Sequence, residues 1–150
     1  VSASPDIARD EDVDQLVDLL GLLFAQEADF APDAQKQGRA LRQILADESL
    51  GRVYVARDAG RVVGMCSLLY TVSTAEGGKA AWLEDLVVRP QSRGRGIGKM
   101  LLKHAIGQAH ADGFGRITLL SDADNERAHT LYRKLGFTDS PMRTMRLWLR

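Results

Sequence analysis

The chain has 150 residues, 45% hydrophobic and 27% charged, which is enough apolar material for one compact domain. Lysine plus arginine equals aspartate plus glutamate at 20 each, a zero balance that disfavours the basic surfaces used in nonspecific nucleic-acid or membrane binding. No apolar stretch approaches the roughly 20 residues that span a bilayer, no charged-then-apolar leader opens the sequence, and the single cysteine, Cys66, has no internal partner, so a reducing cytoplasm is the expected setting.

A short extended piece near Ile7 comes first. Val13, Leu16, Val17, Leu20 and Phe24 then fall on one helix face, with Asp10 and Asp12 offering cap oxygens at its start. An acidic loop, "QEADFAPD", leads to Pro32 and Asp33, which begin a second helix with Leu41, Ile44 and Leu45 inward. The period then changes. "RVYVA", "VVGMCSLLYTVS" and "AAWLEDLVV" read as three strands of an antiparallel meander, turned at "RDAGR" and "EGG". After "RGRGIG", Ile97, Leu101, Ala105 and Ala109 mark a long helix ended by Asp112-Gly113. "RITLLS" reads as a buried strand, Glu126 to Lys134 as a short helix stopped by Gly136, and "MRTMRLWL" as a closing strand. The expected architecture is α/β: a mixed, mostly antiparallel sheet of about six to seven strands, with about four helices on both faces, in one domain over residues 1–150.

The glycine stretch carries the strongest chemical signal. A helix N-terminus presents N–H groups without intrahelical partners and about half a positive charge. Glycines let a ligand approach that backbone. Together they suit a phosphate. A Walker loop needs Ser or Thr after Gly98-Lys99, where Met100 stands. The dinucleotide fingerprint needs a glycine at position 99, where the chain has lysine.

"VVRPQSRGRGIGKMLL" resembles the acetyl-CoA-binding segment of the GNAT superfamily of N-acetyltransferases, with Arg93, Gly96 and Gly98 in the family pattern. "DNERAHTLYRKLGF" is similar to the family's second signature through Asn125, Ala128, Leu131, Tyr132, Gly136 and Phe137. "WLEDL" looks like the corresponding strand of the diamine (polyamine) acetyltransferases. The resemblance implies that backbone around Arg93, Gly94, Arg95, Gly96, Ile97, Gly98 and Lys99 holds the pyrophosphate of acetyl-CoA. It implies that Leu86, Val87 and Val88 pair with the pantetheine arm as an added strand, and that Asn125 bonds to that arm or orients the following helix.

Acetyl transfer needs a neutral amine. With a pKa of about 10.4, only about one lysine-like amine in two thousand is neutral near pH 7, which costs about 4.6 kcal/mol. Glu84, a carboxylate inside an apolar strand, is the expected base; Asp85 and water are the alternatives, because a bulge would overturn simple alternation. A strand N–H near Val87 or Val88 is the expected oxyanion donor. The resemblance places the Tyr132 hydroxyl beside the departing sulfur, as a hydrogen-bonding acid.

Cys66 reads as core rather than nucleophile. His104, His110 and His129 read as surface residues, and no metal-ligand spacing appears. Trp82, Tyr70 and Phe30 read as core before pocket. Glu27, Asp29 and Asp33, with Glu84 and Asp85, suit a cationic acceptor. The expected activity is direct acetyl transfer from acetyl-CoA to a primary amine, without metal, nucleic acid or membrane. A non-catalytic acyl-CoA sensor and a protein or peptide N-acetyltransferase are the alternatives. Family members are often dimers, so a homodimer fits.

Overall fold

A computed structural model describes residues 3–27 and 29–150. The chain divides into two compact units, residues 1–120 and 121–150. In the first, the sheet has five strands in the order β1-β2-β3-β4-β5. These are β1 (Ser4–Ile7), β2 (Gly51–Asp58), β3 (Arg61–Ser73), β4 (Gly78–Val88) and β5 (Ile117–Leu119). The first four run antiparallel, and β5 joins β4 in parallel. The helices of this unit are α1 (Val13–Phe24), α2 (Ala34–Ala46) and α3 (Ile97–Ala111).

Strand alternation sends β2 and β3 side chains to two cores. Val53, Val55 and Met65 face α1 and α2, packing with Leu16, Leu19, Leu20 and Leu41. Leu16 and Leu19 are fully buried, each contributing about 1.5–3 kcal/mol by area. On the other face, the Tyr54 ring meets His104 of α3 edge-on at 5.2 Å, and the Cys66 thiol points to the Leu101 carbonyl at 3.9 Å. Helices therefore cover both faces. His104 is half-buried against Tyr54, not a surface residue.

Asp33 caps α2 as expected, accepting from the Lys36 N–H at 3.2 Å. Asp12 holds the cap position of α1 but makes no cap bond there. Its carboxylate instead accepts from the Arg9 N–H at 2.8 Å and binds the guanidinium of Arg57 on β2.

The second unit contains α4 (Glu126–Lys134), capped by Asn125, whose side-chain oxygen accepts from the Ala128 N–H at 3.3 Å. Leu135 and Phe137 donate back to the Tyr132 carbonyl beyond its end. The expected closing strand over "MRTMRLWL" is not formed, so the sheet has five strands rather than six or seven. Its apolar residues are spaced three, then two apart, at Met142, Met145, Leu147 and Leu149, so period-2 patterning is incomplete. All four are more than four-fifths exposed.

Candidate active site

The site is built on an irregularity in β4. Ser67 pairs with Glu84 and Met65 with Val87, so the single residue Cys66 stands opposite both Asp85 and Leu86. This is a β-bulge, and Asp85 takes the left-handed conformation there, at φ +59°. Bulges re-aim side chains. Glu84 remains exposed and shares a face with Trp82, since buried Leu83 separates them. Asp85 is half-buried. Burial, then the like charges of Glu84 and Glu27, push its carboxyl up to about 7, while the Ser67 hydroxyl opposes them. The counterforce comes from Ser67 Oγ, 3.4 Å from Asp85 Oδ2.

Beyond the bulge, one edge of β4 opens. β5 pairs only with Ala81, Trp82 and Leu83, so Asp85 to Val88 have no partner strand on that side among the described residues. Arg89 N–H donates to the Val63 carbonyl on β3 at 2.8 Å. By alternation Val87 also faces β3, opposite Met65, while Leu86 and Val88 turn N–H and C=O to the open edge. Of the expected stretch Leu86, Val87 and Val88, only Leu86 and Val88 therefore turn their backbone to the open edge, and Val87 turns its backbone to β3. The Val88 carbonyl receives Arg93 Nε at 3.1 Å.

The chain then passes through a 3₁₀ turn, Pro90–Ser92, into the start of α3. Gly94 and Gly96 have φ of +79° and +76°, values that side-chain-bearing residues rarely adopt. A Cβ placed on either would meet nothing within 4 Å, so the approach to this backbone is open. Gly96 caps α3 without a side-chain bond, and no acidic residue lies in the first turn. The first intrahelical bond runs from Met100 N–H to the Gly96 carbonyl, so the Ile97, Gly98 and Lys99 amides precede the helical ladder. Arg95 is paired with Asp58 at 3.1 Å. Exposed Arg93 and Lys99 add positive charge. These donors, this charge and this access suit a diphosphate.

An open strand edge thus leads into a helix start whose amides suit a phosphate, and sequence comparison shows the family. Residues 15–137 match the model of the Acetyltransferase (GNAT) family. The chain belongs to the GNAT family. Among curated relatives of this GNAT protein, glucosamine 6-phosphate N-acetyltransferase of Trypanosoma brucei brucei is 35% identical over 87 residues, 57% of each chain. Streptothricin acetyltransferase of Streptomyces lavendulae is 30% identical over 149 residues, 87% of this chain and 78% of its own. The chain thus spans little more than half of the first relative. A predicted acetyltransferase of Clostridium acetobutylicum, solved with acetyl-CoA, has the same fold, with a TM-score of 0.78 at 19% identity over 98% of this chain and 96% of its own.

The remaining candidates divide by unit. Glu84, Leu86, Val88 and Arg93 to Lys99 belong to the first. Asn125 and Tyr132 belong to the second, where the half-buried Tyr132 ring meets Phe137 at 5.8 Å. Burial pushes the Cys66 thiol up to about 12, which disfavours the nucleophilic thiolate. Trp82 and Phe30 are 38% and 40% exposed, not core. Tyr70 lines an open cleft of about 510 Å³ with Arg52, Lys79, Asp112 and Phe114. That cleft lies at the C-terminal end of α3, whose 15 residues span about 22 Å from the glycine loop. Tyr70 is therefore remote from the glycine loop, while on β3 it lies three residues from Ser67 and pairs with Ala81, three before Glu84. Sequence reasoning missed Ser67, whose signal was one hydroxyl inside the apolar run "VVGMCSLLY".

Gly96→Val forces a β-branched residue into a left-handed conformation, at about 1–3 kcal/mol, and fills the open approach. Calorimetry is expected to show acetyl-CoA binding weakened at least about tenfold, equivalent to about 1.4 kcal/mol. Unchanged binding would mean the ligand does not approach this backbone.

Proposed function

We propose that this protein transfers the acetyl group of acetyl-CoA to a primary amine of a small cationic molecule, by direct attack in a ternary complex, and that residues 1–150 act as one catalytic domain. One observation carries the proposal. The β4 bulge sets a carboxyl that titrates near neutrality beside an open strand edge, and that edge leads into the amides of α3.

Acetyl-CoA supplies the activated acetyl group as its thioester. The amides of Gly96 to Lys99, with Arg93 and Lys99, hold the diphosphate. Leu86, and the Val88 carbonyl beside its Arg93 contact, pair with the pantetheine amides along the open edge. Val88 N–H is the oxyanion donor on this edge. Asp85, rather than Glu84, takes the proton of the attacking amine. Its support is its half-burial and a carboxyl near 7, close to the pH at which a general base works best. Glu84, more exposed, draws the cation in and raises Asp85. Tyr132 donates a hydrogen bond to the sulfur as negative charge builds there. A phenol near 10 does not fully protonate a thiolate near 8.5, so the bond stabilises the leaving group and solvent completes the transfer. The support for Tyr132 and Asn125 is their place in the second family signature, within the matched residues.

Glu84 and Glu27 both act electrostatically on Asp85, which favours an acceptor with more than one positive charge. The diamine-like "WLEDL" strand supports the same class. The relatives named for glucosamine 6-phosphate and streptothricin mark small amines as the wider class.

Release of free thiol from acetyl-CoA across a panel of diamines, aminosugars, amino acids and peptides tests the proposal. Turnover strongest on diamines is expected. Turnover only on peptides would replace the substrate class, and tight binding without thiol release would make the protein a sensor. Tyr132→Phe is expected to lower kcat more than it weakens acetyl-CoA binding; equal loss in both would indicate packing.

A further inference from the structure

Ser67 lies on β3 at the last regular pair before the bulge and is 2% exposed. Its neighbours Cys66 and Leu68 are fully buried. A buried hydroxyl is costly unless it is hydrogen-bonded. The Ser67 hydroxyl has two acceptors, the Glu84 carbonyl at 3.1 Å and Asp85 Oδ2 at 3.4 Å. One proton therefore serves both the backbone entering the bulge and the carboxylate on it. The carbonyl is the nearer partner, and the carboxylate becomes the better acceptor once ionised.

We infer that Ser67 is a positioning residue: its hydroxyl pins the start of the β4 bulge and holds the Asp85 carboxylate oriented and ionised toward the acceptor. This rests on the reading of Asp85 as proton acceptor. The charged groups acting on Asp85 are Glu84 on its own strand and Glu27 after α1, both raising its carboxyl; Cys66 on β3, whose thiol Asp85 helps to raise, stays un-ionised. Ser67 works against the two glutamates.

Removing the hydroxyl removes that opposition, so Asp85 needs a higher pH to ionise. A hydrogen bond to a charged group corresponds to about one pKa unit. In Ser67→Ala the acidic limb of kcat/KM is expected to move up by about one unit. The rate should fall about tenfold at pH 6 and little at pH 9. Ser67→Thr keeps the hydroxyl and should leave the limb in place. Ser67→Cys keeps the shape of serine with a somewhat larger atom and donates weakly, so it should move the limb as alanine does and serves if the alanine variant fails to fold. A carboxyl-labelled NMR titration of Asp85, in wild type and variants without substrate, should show the same displacement. An unmoved Asp85 titration in Ser67→Ala or Ser67→Cys, or a rate loss equal at all pH values, would overturn the inference. An acidic limb that survives Asp85→Asn would instead refute Asp85 as base, a failure that the substrate-free titration separates from that of Ser67.

Discussion

Asp85→Asn is expected to lower kcat by about 10²–10⁴-fold, the range for losing a general base. It should also abolish the acidic limb of the pH profile. The base must be ionised to accept a proton, and its carboxyl sits near 7, so wild-type activity should rise as pH climbs through neutrality. Glu84→Gln should give a different result. It removes the nearest like charge, so the limb should persist and move to lower pH. Abolition of the limb by Glu84→Gln and not by Asp85→Asn would return the role to Glu84. Asp85→Asn should also stabilise the fold in alkali. The folded-state pKa of Asp85 is raised above the ordinary carboxylate value of 3.8, so the folded protein holds this proton more tightly than the unfolded chain. Stability therefore falls as pH rises from about 4 to about 7. Asparagine cannot ionise and escapes that loss, so Tm at pH 8 should increase as activity disappears.

Arg57→Ala is expected to cost about 3–5 kcal/mol, the usual effect of stripping one partner from a buried ion pair. That is a large share of the 5–15 kcal/mol typical of a whole domain. Arg57 grips Asp12 through two bonds, Nη1 to Oδ1 at 2.8 Å and Nη2 to Oδ2 at 2.6 Å, and donates Nε to Asp6 at 2.9 Å. It thereby ties β1 and the turn before α1 to β2. The Asp12 side chain is only 3% exposed, so without the guanidinium it must stay charged away from water or take a proton. Urea unfolding at pH 7 measures the cost. Arg9→Ala, which removes a 57% exposed partner of Asp6, is the control and should change little. The Arg57 hydrogen bonds hold Asp12 and Asp6 below the usual carboxylate range. Their contribution is thus present above about pH 4 and lost as pH falls through the depressed values. The wild type should weaken in acid, and Arg57→Ala should show less of that dependence. A cost under about 1 kcal/mol would place the pair among ordinary surface contacts.

Much of the fold was legible in the sequence because burial imposes a period on it. The 3.6-residue repeat of Val13, Leu16 and Leu20 marks α1, and the continuous apolar run within "RVYVA", buried on both faces, marks β2. The glycine loop was legible for a different reason: left-handed backbone and close ligand approach both demand glycine. Features that depend on distant pairing were not legible. The bulge arises from how β3 and β4 align, so period-2 counting put Asp85 on the face opposite Glu84, whereas it reaches Ser67, the cross-strand partner of Glu84. The same counting could not tell that Val87 turns its backbone to β3. Arg57 meets Asp12 across 45 positions, so Asp12 read as a helix cap. "MRTMRLWL" has the composition of a strand, but a strand also requires a partner's backbone, which composition does not reveal.

The short reach of β5 has a consequence for handling the protein. A strand with unsatisfied amides and carbonyls is a template on which another chain can grow, and natural sheets guard such margins against self-association. Among the described residues of the first unit, no strand pairs with this margin between Asp85 and Val88, and the Arg93 side chain meets its far end. On the proposed function, acetyl-CoA would pair along that margin and shield it. Preparations stripped of it should clump on standing, and replenishing it should keep them dispersed.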